Sequence, residues 1–254
     1  MQVNSKTDNR ALVPFDLSPD SERKFFHRLS NILSGSEDEI IIDCTLLERV
    51  TSSHINLLWR IHSRCSEAGN RVKYSSVSVN LKRVLMMLDL YDLIIGERIG
   101  FTELTGHDMP VRNIKVDKKL HLEFTSEEGD IGNAVEEFRK FLGSLKLPEF
   151  TAFELETVFY EVITNIKLHS QIPTGSIVKA LVTITKEGLE MCFIDRGEPF
   201  DPVQQPSDFD PNIAAGKQQK RGYGLIMIKR MMDEIIYERQ DDCLNVLTLK
   251  KNWR

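Results

Sequence analysis

Cysteine is scarce in this 254-residue chain: Cys44, Cys65, Cys192 and Cys243 are scattered, and no two form a CxxC pair. That pattern suggests neither a zinc site nor a local redox motif, and cysteines inside apolar runs read as small core residues. No apolar run is long enough to span a bilayer. Met1 to Arg10 is polar and lacks the apolar core of a signal peptide. The expected compartment is therefore the cytoplasm, with no membrane partner. Charge of one sign is also missing. A net charge of -5 leaves no broad basic footprint for nucleic acid. There is no GxxxxGK[ST] loop, and Met227 stands where the third glycine of a dinucleotide fingerprint would fall. No internal repeat or low-complexity tract occurs.

What remains is an ordinary globular composition, 41% hydrophobic and 28% charged, sufficient for one large core or two small ones. Gly100, Gly106 and Pro110 punctuate a polar stretch. The expected organisation is a domain over 1–100, a linker over 101–116 and a second domain over 117–254.

The first half reads as a small α/β unit. Asp20 to Leu33 has helical periodicity, and Ile40-Ile41-Ile42 is the continuous apolar run of a buried strand. Ser53 to Ala68 reads as a helix closed by Gly69, Arg71 to Ser75 as a strand and Asn80 to Leu90 as a helix. Strand, helix and strand at this spacing imply a parallel crossover.

The second half has a different rhythm. Lys118 to Phe124 alternates as a strand, and Ile131 to Leu145 and Glu149 to His169 read as helices. Val178 to Thr185 and Leu189 to Asp195 form a hairpin about Lys186-Glu187-Gly188. Gly224 to Ile235 reads as a helix and Cys243 to Lys250 as a closing strand. Helices plus an antiparallel or mixed sheet predict a two-layer α+β sandwich.

Three segments carry polar groups that packing does not require. Glu161, Asn165 and His169 recur every fourth residue, so a helix stacks them on one face. Asn165 offers a neutral oxygen suited to magnesium, and Glu161 a carboxylate able to take a proton from a hydroxyl. The plainer alternative is a solvated stripe. Asp195-Arg-Gly197 ends an apolar strand, where a carboxylate can accept from a base amine and a glycine admits close approach. An ordinary strand exit fits as well. Arg221-Gly222-Tyr-Gly224-Leu225 leads into an apolar helix whose first amides are free to hold phosphate. Between the last two lies Pro202 to Lys220, polar and long enough for a phosphate-covering lid to which Lys217, Lys220 and Arg221 bring positive charge. A disordered insertion is the other reading.

In that order, the three segments resemble the N, G1 and G2 boxes of the GHKL ATP-binding superfamily, over roughly residues 117–252. The flanks Asp195-Arg-Gly-Glu-Pro-Phe200-Asp-Pro202 and Gly224-Leu-Ile-Met-Ile-Lys-Arg-Met-Met-Asp-Glu are similar to anti-sigma-factor serine/threonine kinases. The resemblance implies a Bergerat-type sandwich binding ATP and Mg2+. Asn165 would hold the metal, Asp195 the adenine amine, and Glu161 would be the general base. His169, Gly197, Phe200, Lys217, Arg221, Gly222, Gly224 and Leu225 would line or shape the nucleotide site. Leu168 departs from the family, where a basic residue is common.

Residues 11–98, through Ile40-Ile-Ile-Asp43-Cys-Thr and Val50-Thr51-Ser52-Ser53-His54, resemble a STAS domain, the anti-sigma-factor antagonist that such kinases phosphorylate. Ser52 falls on the phosphoacceptor position, but Thr51 and His54 replace the Asp and Gly around it. Helix capping by Thr51 or Ser52 is the alternative. The implied partners are a STAS-type antagonist and a sigma factor. Dimers are frequent in the family.

Overall fold

The computed structural model describes residues 9–35, 39–47, 49–96, 118–173, 175–205, 222–240 and 243–253. They fall into two compact units, residues 9–96 in one and 118–205 with 224–253 in the other.

The N-terminal unit runs β1 (Arg10–Leu12), α1 (Pro19–Leu33), β2 (Glu39–Asp43), α2 (Ser52–Glu67), β3 (Arg71–Ser75), α3 (Val79–Met87) and α4 (Tyr91–Ile95). The three strands are parallel in the order β1-β2-β3, with Ala11 opposite Ile42 and Ile42 opposite Tyr74. Ala11, Ile40 and Ile42 are fully buried, as are Leu29 of α1 and Leu57, Leu58 and Ile61 of α2. β1 is an element the sequence pattern misses. It is three residues long with one inward side chain, too short to show alternation.

The start of α2 resolves the capping alternative in favour of Thr51. Its hydroxyl accepts from the His54 N–H, and His54 Nδ1 sits 2.8 Å from that hydroxyl. Ser52 is the first helical residue. The Thr51 N–H donates to His54 Nδ1, so the ring proton sits on Nε2, 3.2 Å from the Phe15 carbonyl that accepts it. Burial pushes the His54 pKa below its ordinary 6.5, and Arg49 adds to the shift while the Phe15 carbonyl opposes it. The unfolded chain protonates near 6.5 and the folded imidazole resists, so this contribution to stability is full above that pH and lost as pH falls below it. His62 is shifted the same way by burial. The thermal midpoint should therefore drop between about pH 7 and about pH 5, and His54→Gln should flatten that slope.

The second unit runs β4 (Lys119–Phe124), α5 (Glu128–Gly143), α6 (Glu149–His169), β5 (Val178–Ile184), β6 (Gly188–Asp195), α7 (Tyr223–Met231), β7 (Glu234–Arg239) and β8 (Asn245–Asn252). Its sheet is antiparallel throughout, in the order β4-β5-β6-β8-β7. Val178, Ala180 and Val182 of β5 and Leu189, Met191 and Phe193 of β6 alternate into the core. Phe159 of α6 stacks on Phe138 of α5 at 4.3 Å and meets Phe193 of β6 at 5.4 Å, which fixes the long helix on the sheet. A mixed α/β chain ending in an α/β sandwich is the fold expected from the pattern.

One boundary is corrected. The helix expected over Gly224 to Ile235 stops at Met231, and Glu234–Arg239 is a strand. Asp233 N–H already donates to the Lys250 carbonyl, while Lys251 Nζ donates to the Met231 carbonyl at 2.7 Å and satisfies the helix end. Pairing with β8 outweighs the helical continuity of the apolar run. No helix among the described residues is long and apolar enough to cross a membrane.

Candidate functional site

Period-two alternation along β6 puts Asp195 on the face of Met191 and Phe193, so a carboxylate, 5% exposed, ends an apolar row beneath the helices. α6 sets Asn165 above it. Asn165, Asp195 and Phe200 line one cleft together with Val162, Ile166, Ser170, Ile228 and Tyr237. Its enclosed room is about 30 Å³, enough for a water, and it widens to about 460 Å³ with the adjoining open space.

A buried charge must be hydrogen-bonded. Asp195 Oδ1 accepts from Gly197 N–H at 2.7 Å and from Asn245 Nδ2 at 2.8 Å. Gly197 presses on the end of α6: a Cβ there would collide with the Ser170 carbonyl and its side chain. The neighbouring Glu198 N–H donates to that carbonyl at 2.6 Å. The glycine is needed here for the close backbone contact with the end of α6. Gly197→Ala should cost about 1–3 kcal/mol, read as a lower denaturation midpoint with an unchanged slope in urea.

The other expected residues divide. His169 is not on the cleft wall but stacks on Phe200, ring centres 5.1 Å apart. Glu161, one turn before Asn165, is 2% exposed and also off the wall. Gly222 precedes α7 at a φ of 145°, a backbone state suited to glycine. Gly224 and Leu225 lie in the first turn of α7, Gly224 buried and Leu225 half-buried. Lys229 on α7 donates to the Val203 and Gln205 carbonyls at 3.3 and 2.7 Å and so holds the first residues of the segment that begins at Pro202. Lys217, Arg221 and the rest of that segment lie outside the described residues, as does the 101–116 linker.

Sequence reasoning missed Asn245, Tyr237 and Arg239. Asn245 Oδ1 accepts from the Tyr237 hydroxyl at 2.7 Å and from Arg239 at 2.6 Å, and Arg239 also donates to the Gly197 carbonyl at 2.8 Å. Only strand register brings these groups to Asp195. The one hint in the sequence is a polar residue opening the final strand ahead of Val246 and Leu247.

A half-buried amide and a hydrogen-bonded carboxylate facing each other across a cleft, between a helix and a sheet, define a polar-ended pocket of the kind that takes a small ligand. Residues 124–251 match the histidine kinase-like ATPase domain, and the chain belongs to that family. No curated protein matches it in sequence. Among solved structures it is similar to a chain in the crystal structure of the SiaB-SiaC complex from Pseudomonas aeruginosa. That similarity is 14% identity and a TM-score of 0.40, covering 52% of this chain and 88% of that one.

Proposed function

We propose that the second unit binds ATP with magnesium and transfers the γ-phosphoryl group to a serine or threonine hydroxyl of a STAS-type partner, as anti-sigma-factor kinases do. The observation that carries this reading is the shared cleft: Asn165 and Asp195, 30 residues apart in the chain, line one pocket. Family membership and the flanks of the G1 and G2 boxes support it.

The donor set suits magnesium. No cluster of three acidic, His or Cys side chains able to hold a metal exists among the described residues. Magnesium commonly takes one or two protein oxygens and completes its shell with waters and substrate phosphates. The Asn165 amide oxygen is such a ligand. When bound, the metal neutralises phosphate charge. Asp195 accepts the exocyclic amine of adenine, and Phe200 packs on the base. A purine exceeds the enclosed room of about 30 Å³ and extends into the adjoining open space. Gly222, Gly224, Lys217 and Arg221 serve the phosphates. The incoming hydroxyl oxygen attacks the γ-phosphorus, the bond to the β–γ bridging oxygen breaks, ADP leaves, and the hydroxyl proton goes to Glu161.

We read the first unit as STAS-like. Ser52, relieved of capping by Thr51, is then the candidate acceptor in cis, with a sigma factor further along the partner-switching chain. The burial of Glu161 favours a second reading, in which the cleft holds ATP without transfer and the protein acts as a scaffold. Radiolabelled γ-phosphate separates the two. Label on the protein or on a STAS partner supports transfer, and bound ATP without label in either supports the scaffold.

A further inference from the structure

Asp195, Asn245 and Arg239 form a single row across three strands: Asp195 of β6 is in register with Asn245 of β8, and Asn245 with Arg239 of β7. The row is joined by hydrogen bonds of fixed polarity. A guanidinium has only donors, so the Arg239 contact at 2.6 Å requires an oxygen from Asn245. That turns the Asn245 amine inward, where it donates to Asp195 Oδ1 at 2.8 Å and to the Gly197 and Glu198 carbonyls at 3.2 and 3.3 Å. Arg239 grips the Gly197 carbonyl directly as well, and the Gly197 N–H is the second donor to Asp195 Oδ1. Arg239 on the edge strand therefore touches both supports of that oxygen, with the Tyr237 hydroxyl a second donor to the Asn245 oxygen at 2.7 Å. With Oδ1 occupied twice, Oδ2 is the acceptor left for a ligand. Asn245 is 4% exposed, so water does not substitute freely for a lost partner.

We infer that Arg239 is a positioning residue for nucleobase selection, fixing the Asp195 carboxylate through Asn245 and the Gly197 carbonyl so that one oxygen awaits an exocyclic amine. This inference rests on the ATP reading above and names the residue that sharpens it. Arg239 touches no base itself. Its influence should reach only ligands that use Asp195.

The test is calorimetric binding of two nucleotides to the full chain with magnesium: ATP, and the purine ribonucleoside triphosphate that lacks the 6-amino group. Arg239→Met should weaken ATP about tenfold and leave the amine-free analogue unchanged, and Arg239→Lys, which keeps one donor, should recover part of the loss. An equal fall for both nucleotides marks general damage and overturns the inference, as does an unchanged ATP affinity. If the unsubstituted protein binds neither nucleotide, the ATP reading fails first and this inference goes with it.

Discussion

Asn165→Ala should weaken magnesium-dependent ATP binding on the order of 100-fold and leave the thermal midpoint of the empty protein nearly unchanged. Asn165 is half-buried on the cleft wall, one turn past Glu161 and one before His169 on α6. Its neighbours Val162, Ile163 and Ile166 carry the packing. Shortening it therefore removes the amide oxygen without opening the core. Asn165→Asp sharpens the test, because a carboxylate keeps an oxygen at the same place. If metal ligation is its role, the aspartate variant retains more magnesium-dependent affinity than the alanine variant. Titration calorimetry with and without magnesium reads both. A uniform loss in the presence and absence of the metal would place Asn165 in shape rather than ligation.

Glu161→Gln should reduce phosphoryl transfer by about 10²- to 10⁴-fold with ATP affinity within a few-fold of the unsubstituted protein. The substitution preserves the volume of a side chain that is almost wholly buried, so it removes the carboxylate without leaving a cavity. Glu161→Ala should abolish transfer too, but at a stability cost that blurs the result. Single-turnover transfer from radiolabelled ATP to a STAS partner separates chemistry from binding. Transfer at the original rate in Glu161→Gln would remove Glu161 as the base.

The sequence discloses the helical half of the site well. Glu149 to His169 is read end to end because Pro148 bars extension backward, the apolar period of 3.6 persists through Ile166, and the chain turns at Ser170. The polar stripe is visible on that helix for the same reason. The end of β6 at Asp195 is likewise legible from alternation. What fails is everything set by pairing between distant strands. β7 is hidden because Met231, Met232, Ile235 and Ile236 fit a helix as well as a strand, and only the ladder to β8 decides. Asn245, Tyr237 and Arg239 look like surface residues of a closing hairpin until register sets them beside Asp195. The packing role of Gly197 is hidden on the same ground, since nothing local shows Ser170 packed against it.

The most direct measurement is equilibrium binding of ATP with magnesium to the unsubstituted chain and to Asp195→Asn. If the cleft shared by the strand-end carboxylate and the helix amide is the nucleotide site, binding is saturable and one-to-one, and Asp195→Asn weakens it by about tenfold or more. Undiminished binding by that variant, or no binding by either protein, would contradict a nucleotide site between α6 and β6.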